Sequence, residues 1–165
     1  MVTVSKWISW LAHEKRIAQD SRIFDLLKSR LKDSDDIVRE QLLYVLDYLL
    51  WYEKDEHIKT RFTESFRPIV LDMASHDSNT QVRRNAIHAL PKMANQDVLN
   101  VLFRMLESDE DAYSGLESSI HSALRSLAES NYRAEIQERL YELLKKTSAS
   151  ARPRIDKIFD ELRRR

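Results

Sequence analysis

Apolar and polar positions along this chain alternate with the period of an α-helix. Between residues 36 and 52, Val38, Leu42, Val45, Leu46 and Leu49 fall at i, i+4, i+7, i+8 and i+11, one stripe of an amphipathic helix. The segment 80 to 95 repeats the stripe as Val82, Ala86, Ala89, Leu90 and Met93. The segment 113 to 129 repeats it as Leu116, Ile120, Ala123, Leu124 and Leu127. Asp33, Asp77 and Asp111 precede the three copies in register, so successive copies are offset by 44 and then 34 residues. Such self-similarity is the signature of stacked helical repeats, which build an extended surface and not a single enclosed pocket.

Short polar residues stand where helices begin. Asp35 or Asp36 is placed to cap the first of these helices and Ser78 or Asn79 the second, while the third follows Asp109-Glu110-Asp111. Each stripe is preceded by another helical pattern: Ile23, Leu26, Leu27 and Leu31; then Phe62, Phe66, Ile69, Val70 and Met73; then Val98, Leu99, Leu102, Met105 and Leu106. A fourth pair is readable in Ile136, Leu140, Leu143 and Leu144 followed by Ile155, Ile158, Phe159 and Leu162. Val4, Trp7, Ile8 and Leu11 read as a helix capping the first pair, since terminal repeats must cover an open core. The expected organisation is one repeat domain over 1–165, with a cap at 1–18 and helix pairs at 20–52, 56–95, 96–129 and 132–163.

Three prolines bear on these boundaries. Pro68 falls within an apolar helical pattern and predicts a kink or break near Arg67, because proline removes one helical hydrogen bond. Pro91 lies late in its helix, and Pro153 sits near the start of the last one, where a missing amide is tolerated. With Gly115 as the only glycine, the chain has too little punctuation for a hairpin-rich β protein. The class is all-α.

The phrases "DSDDIVREQLLYVL" and "DSNTQVRRNAIHAL" resemble the second helix of HEAT and HEAT-like repeats, where an aspartate-bearing turn leads into Val-Arg and then small or branched apolar positions. The resemblance covers residues 20 to 130 well and the last 35 weakly. It implies a right-handed α-solenoid of four helix pairs, and protein scaffolds are the usual role of such arrays, with nucleic-acid binders the less frequent one. It also implies a ladder of aspartates and arginines between neighbouring repeats. Here Asp33, Asp77 and Asp111 with Arg39 and Arg83 would form it, and Glu117 replaces the arginine of the third copy.

Composition narrows function mainly by exclusion. Charged residues make up 33% of the chain, with 27 basic against 27 acidic, so the whole molecule has no net attraction to nucleic acid or an anionic membrane. There is no cysteine, hence no disulfide, thiolate nucleophile or cysteine-ligated metal. The first residues lack the pattern of a secretory leader and no apolar run approaches the roughly 20 residues of a membrane helix, so the expected location is cytoplasmic.

Candidate chemistry is sparse. The acidic turns lack the glycine and glutamate spacing of a calcium loop and read as helix caps. His13-Glu14 resembles one of the His-Glu pairs of HEAT-repeat di-iron hydroxylases, which need several, and the chain has one. No His-x-x-x-His zinc spacing, phosphate loop or nucleophile elbow occurs. The expectation is a non-enzymatic protein without cofactor or metal.

The outward helix faces carry the remaining signal. The repeat register sets Glu40, Tyr44 and Tyr48 beside Arg84, His88 and Lys92, then Ser118, Ser122 and Ser126, on helices that line the concave side of such a solenoid. Tyr44, Tyr48, Trp51, Arg84, His88, Lys92 and Arg125 are therefore the candidate contacts, with the basic row suited to an extended acidic peptide and the aromatics to an apolar anchor. The plainer alternative is a solvated face with aromatics packed beneath Trp7 and Trp10. The C-terminal stretch 145 to 165 carries eight basic residues against three acidic, which either steers a partner or complements the dipole of a last helix. The leading expectation is a scaffold that binds a protein or peptide. The alternatives are a nucleic-acid binder using Arg84, Lys92 and the basic C-terminus, and a structural subunit of a larger assembly. The former is similar in Arg83-Arg84-Asn85-Ala86-Ile87 to HEAT-like DNA alkylation-repair glycosylases.

Overall fold

In a computed structural model of the chain, residues 21–108, 115–146 and 152–163 are described. The cap at 1–18, Trp7, Trp10, His13-Glu14, the acidic turn 109–111 and Arg164 and Arg165 lie outside them. All regular structure among the described residues is helical. The chain divides into two compact units, Met1–Met93 and Ala94–Arg165.

The first unit contains α1 (Ser21–Arg30), α2 (Asp36–Tyr52), α3 (Glu56–His76) and α4 (Thr80–Ala89), the last running on into a 3₁₀ turn, Leu90–Met93. Asp35 caps α2 by accepting from the Ile37 amide at 2.9 Å. Asn79 caps α4 by accepting from the amides of Gln81 and Val82. Both caps are residues the sequence offers, because their short side chains reach the orphan amides of a first turn. Phe24, Phe62 and Phe66 bring their rings together at 4.9 to 5.4 Å and are buried. Leu43, Leu46 and Leu50 of α2 are buried along with Val82, Ala86 and Leu90. The small Ala86 and Ala89 are buried as well.

The stripe of α2 is turned slightly from its expected position. Val45 and Leu46 of the expected stripe are buried, but Val38, Leu42 and Leu49 are only half-buried, and Leu43 and Leu50 are buried in addition. Neighbouring positions on a helix are about 100° apart, so α2 presents the Leu43 side to α4.

The prolines act differently from one another. Pro68 does not break α3, which is continuous from Glu56 to His76. Glu64 and Pro68 are both exposed, so the hydrogen bond that proline removes falls on the solvent side of the helix. Pro91 ends α-helical geometry: α4 stops at Ala89 and tightens to 3₁₀, and the Met93 carbonyl accepts from Arg67 Nε at 2.8 Å.

The second unit contains α5 (Gln96–Glu107), α6 (Glu117–Ala128), α7 (Arg133–Lys146) and α8 (Arg152–Arg163), with Pro153 its second residue. Leu99, Leu102, Phe103, Ile120, Leu124, Ile136 and Leu140 are buried within it. Gln96 bonds Glu135 at 2.6 Å and Arg139 donates to Asn100 at 2.9 Å, tying α5 to α7. The start of α6 corrects the sequence boundary, since the helix begins at Glu117 and not at 113. Gly115 stands before it at φ +82°, a left-handed conformation that glycine adopts without the steric cost other residues incur. The Glu117 carboxylate accepts from the Gly115 amide at 3.0 Å.

Candidate functional site

Two concavities among the described residues of the first unit differ in their chemistry. The larger, of about 660 Å³, is lined by Leu31, Asp33, Arg39, Asp72, Met73, His76 and Asp77 among others. Its charges are consumed by structure. Arg39 donates to both carboxylate oxygens of Asp77, through Nε at 2.7 Å and Nη2 at 2.8 Å, and through Nη1 to the carbonyls of Asp33 and Ser34. The adjoining Asp77 carboxylate raises the Arg39 guanidinium further above its ordinary value, against the opposing effect of burial. Asp33 pairs with Arg30 and accepts from the Asp35 amide; these contacts hold its carboxyl below the ordinary value, the amide first. Asp72 pairs with His76 at 2.9 Å. Asn79 donates to the Asp36 carboxylate and Asp77 accepts from the Asn79 amide. This cluster clamps the turn before α2 to the turn before α4.

One rung of the aspartate–arginine ladder is therefore Arg39 with Asp77. Asp33 is occupied locally, and Asp111 lies outside the described residues. Arg83 donates from Nη2 to Thr80 at 3.3 Å, and its Nε is buried without a partner among the described residues.

The second concavity, of about 280 Å³, lies on the outward side of α2 and α4. Leu43, Tyr44, Asp47, Gln81, Arg84, Asn85 and His88 line it. Six of the seven candidate contacts belong to the first unit, and Tyr44, Arg84 and His88 meet at this pocket. Trp51 and Tyr48 continue one wall along α2: Tyr44 is 53% and Trp51 70% exposed, and the rings of Tyr48 and Tyr52 lie 4.2 Å apart. Lys92 sits at the end of the groove with its ammonium 5.1 Å from the Trp51 ring. Arg125 is exposed on α6, in the second unit, as are Ser118 and Ser126.

The expected basic row is internally balanced. Lys92 pairs with the Asp47 carboxylate at 2.5 Å and donates to the Asp47 carbonyl at 3.3 Å. Arg84 donates to Gln81 at 2.9 Å, Gln81 to Asn85 at 3.0 Å, and Asn85 to Glu40 at 3.3 Å. Partial desolvation lowers the His88 imidazole below its ordinary value although the residue is exposed, with Asp47 pulling it up and Arg84 pushing it down. The groove thus sets the carboxylates Glu40 and Asp47 beside Arg84 and Lys92. Asp47, Gln81 and Asn85 were missed as groove residues by sequence reasoning. Cross-helix contacts here span 45 residues, one more than the repeat offset, so Glu40 meets Asn85 instead of Arg84.

Among the described residues no group of three His, Asp or Glu side chains is placed to hold a metal ion, and no helix is long and apolar enough to cross a membrane. A sequence model of HEAT repeats matches residues 24–120, more than half of the chain, and the protein belongs to the HEAT-repeat family. Members of that family typically mediate protein interactions or act as scaffolds and are generally not enzymes. Neither the curated proteins nor the solved structures include a match to this chain.

Proposed function

We propose that this protein is a non-enzymatic scaffold that binds a protein or peptide partner in a cytoplasmic setting, along the α2–α4 face of its first unit. The observation that carries the reading is the exposed row of Tyr44, Trp51 and Tyr52 beside a pocket of mixed apolar and charge-balanced lining. Large aromatic side chains left in water are unfavourable for the free chain and are the commonest energetic anchors of interfaces. The polar groups beside them are already hydrogen-bonded to one another, which holds the pocket in shape before a partner arrives.

Panning a displayed random-peptide library against the intact protein tests this, with the double variant Tyr44→Ala/Trp51→Ala as counter-target. Enriched peptides should bind the parent and lose at least about tenfold in affinity on the variant, since hot-spot truncations cost more than about 1 kcal/mol each. Both side chains are exposed, so the variant should melt close to the parent. Enriched peptides that bind the two proteins equally well would overturn the reading.

A further inference from the structure

We infer that the segment taken by the α2–α4 face is an extended, proline-containing stretch in the polyproline II conformation, laid along the aromatic ridge of α2. This rests on the reading that the face is the partner site. Three features select that occupant.

The first is charge. Glu40 and Asp47 stand against Arg84 and Lys92, with Lys92 held by Asp47, so the groove offers no net field to favour an acidic or a basic peptide. A segment without charge is the complement of such a surface.

The second is the chemistry of the floor. An amphipathic helix needs a continuous apolar trough for its i, i+3, i+4 and i+7 anchors. Between α2 and α4 the apolar surface offered by Leu43 and Tyr44 is interrupted by the chain of side-chain hydrogen bonds from Arg84 through Gln81 and Asn85 to Glu40, so no continuous trough runs along it. A pairing β-strand is excluded as well, because helices α2 and α4 have no free backbone edge to extend.

The third is spacing. Tyr44, Tyr48 and Trp51 fall at i, i+4 and i+7 on one face of α2. Seven residues of helix rise about 10.5 Å. One three-residue turn of polyproline II rises about 9.3 Å, so prolines three apart can rest on Tyr44 and Trp51 together. That conformation has no internal hydrogen bonds, and its carbonyls need donors while its prolines supply none. The Trp51 indole N–H and the tyrosine hydroxyls are donors set along the same ridge. A segment already stiff when free loses little entropy on a shallow surface.

The test is a titration of the ¹⁵N-labelled full chain with acetylated, amidated decaproline, with a deca-glutamate and a length-matched amphipathic helical peptide run alongside. The Trp51 indole resonance is assigned by its loss in Trp51→Phe. Decaproline should shift that resonance and the amides of α2 saturably, and Tyr44→Ala should weaken the binding about tenfold without lowering the melting temperature. Decaproline that shifts nothing at millimolar concentration, or shifts residues away from α2 and α4, overturns the inference. If it fails while either other peptide, or a library peptide of another kind, binds this face, the inference falls and the partner site stands. If no peptide binds the face, both fall.

Discussion

Arg39 holds Asp77 through two parallel hydrogen bonds, Nε at 2.7 Å and Nη2 at 2.8 Å, and the two side chains retain only 11% and 6% of their exposure. Its third nitrogen reaches the turn before α2, so one arginine joins the entrances of α2 and α4. Removing either partner leaves the other as a buried charge without its counter-ion. Such truncations cost about 3 to 5 kcal/mol. Arg39→Met and Asp77→Asn should each lower the midpoint of urea unfolding accordingly, and the double variant should lose much less than the sum. Single losses under about 1 kcal/mol would show that the pair is not what joins the two turns.

Core truncation should separate two neighbouring leucines of one stripe. Leu46 is 2% exposed and Leu42 half-buried. Leu46→Ala is expected to cost about 2 to 5 kcal/mol, the range for a filled core position, and Leu42→Ala distinctly less. Equal losses in chemical denaturation would mean that α2 is rotated from the orientation described.

His88 supplies the pH dependence. Partial desolvation chiefly lowers its imidazole from the ordinary value of 6.5, so below that value the unfolded chain takes up a proton more readily than the folded chain. Stability should therefore rise with pH through the window just under 6.5 and be lost as acid is added. An NMR titration should place the His88 midpoint below 6.5, and His88→Gln should flatten this part of the stability profile. A midpoint at or above 6.5 would contradict the partial desolvation on which the shift depends.

The sequence made the helices and their caps legible because both are local: a 3.6-residue stripe and a short polar side chain at its head decide them. Asp35 and Asn79 cap as their positions suggest. What was not legible depends on neighbours. The buried line of α2 moves toward Leu43 because the side facing α4 is set by packing and not by the stripe itself. The basic row Arg84, His88 and Lys92 looked available in sequence, but Asp47 pairs with Lys92 from another helix, 45 residues away. The turn at Gly115 delays α6 by several residues, and the hydrophobic pattern carries no trace of it because Leu116 still falls in register. The repeat register set Tyr44, Tyr48 and Trp51 on an outward face, but how far each is exposed was not legible, since tyrosine and tryptophan serve cores and surfaces alike: Tyr44 and Trp51 are exposed and Tyr48 is half-buried.

Nucleic acid should bind poorly. Arg39 and Lys92 are both paired with carboxylates, and basic and acidic residues are equal in number along the chain, so there is no net attraction to a row of phosphates. Titrations with random duplex and single-stranded DNA and RNA should show no micromolar binding at physiological salt. Phosphate-driven binding would instead be tight at about 50 mM salt and collapse toward about 200 mM. Such behaviour, weakened further by Arg84→Glu, would reverse the preference for a protein partner.

The most direct measurement of where a partner sits is chemical-shift mapping of the ¹⁵N-labelled full chain with peptides enriched against it. Binding at the α2–α4 face predicts that the perturbed resonances cluster in 40–52 and 81–92, led by Tyr44, Trp51 and His88, with titration curves that saturate. Perturbations confined to α5 through α8, or scattered without saturation, would contradict it.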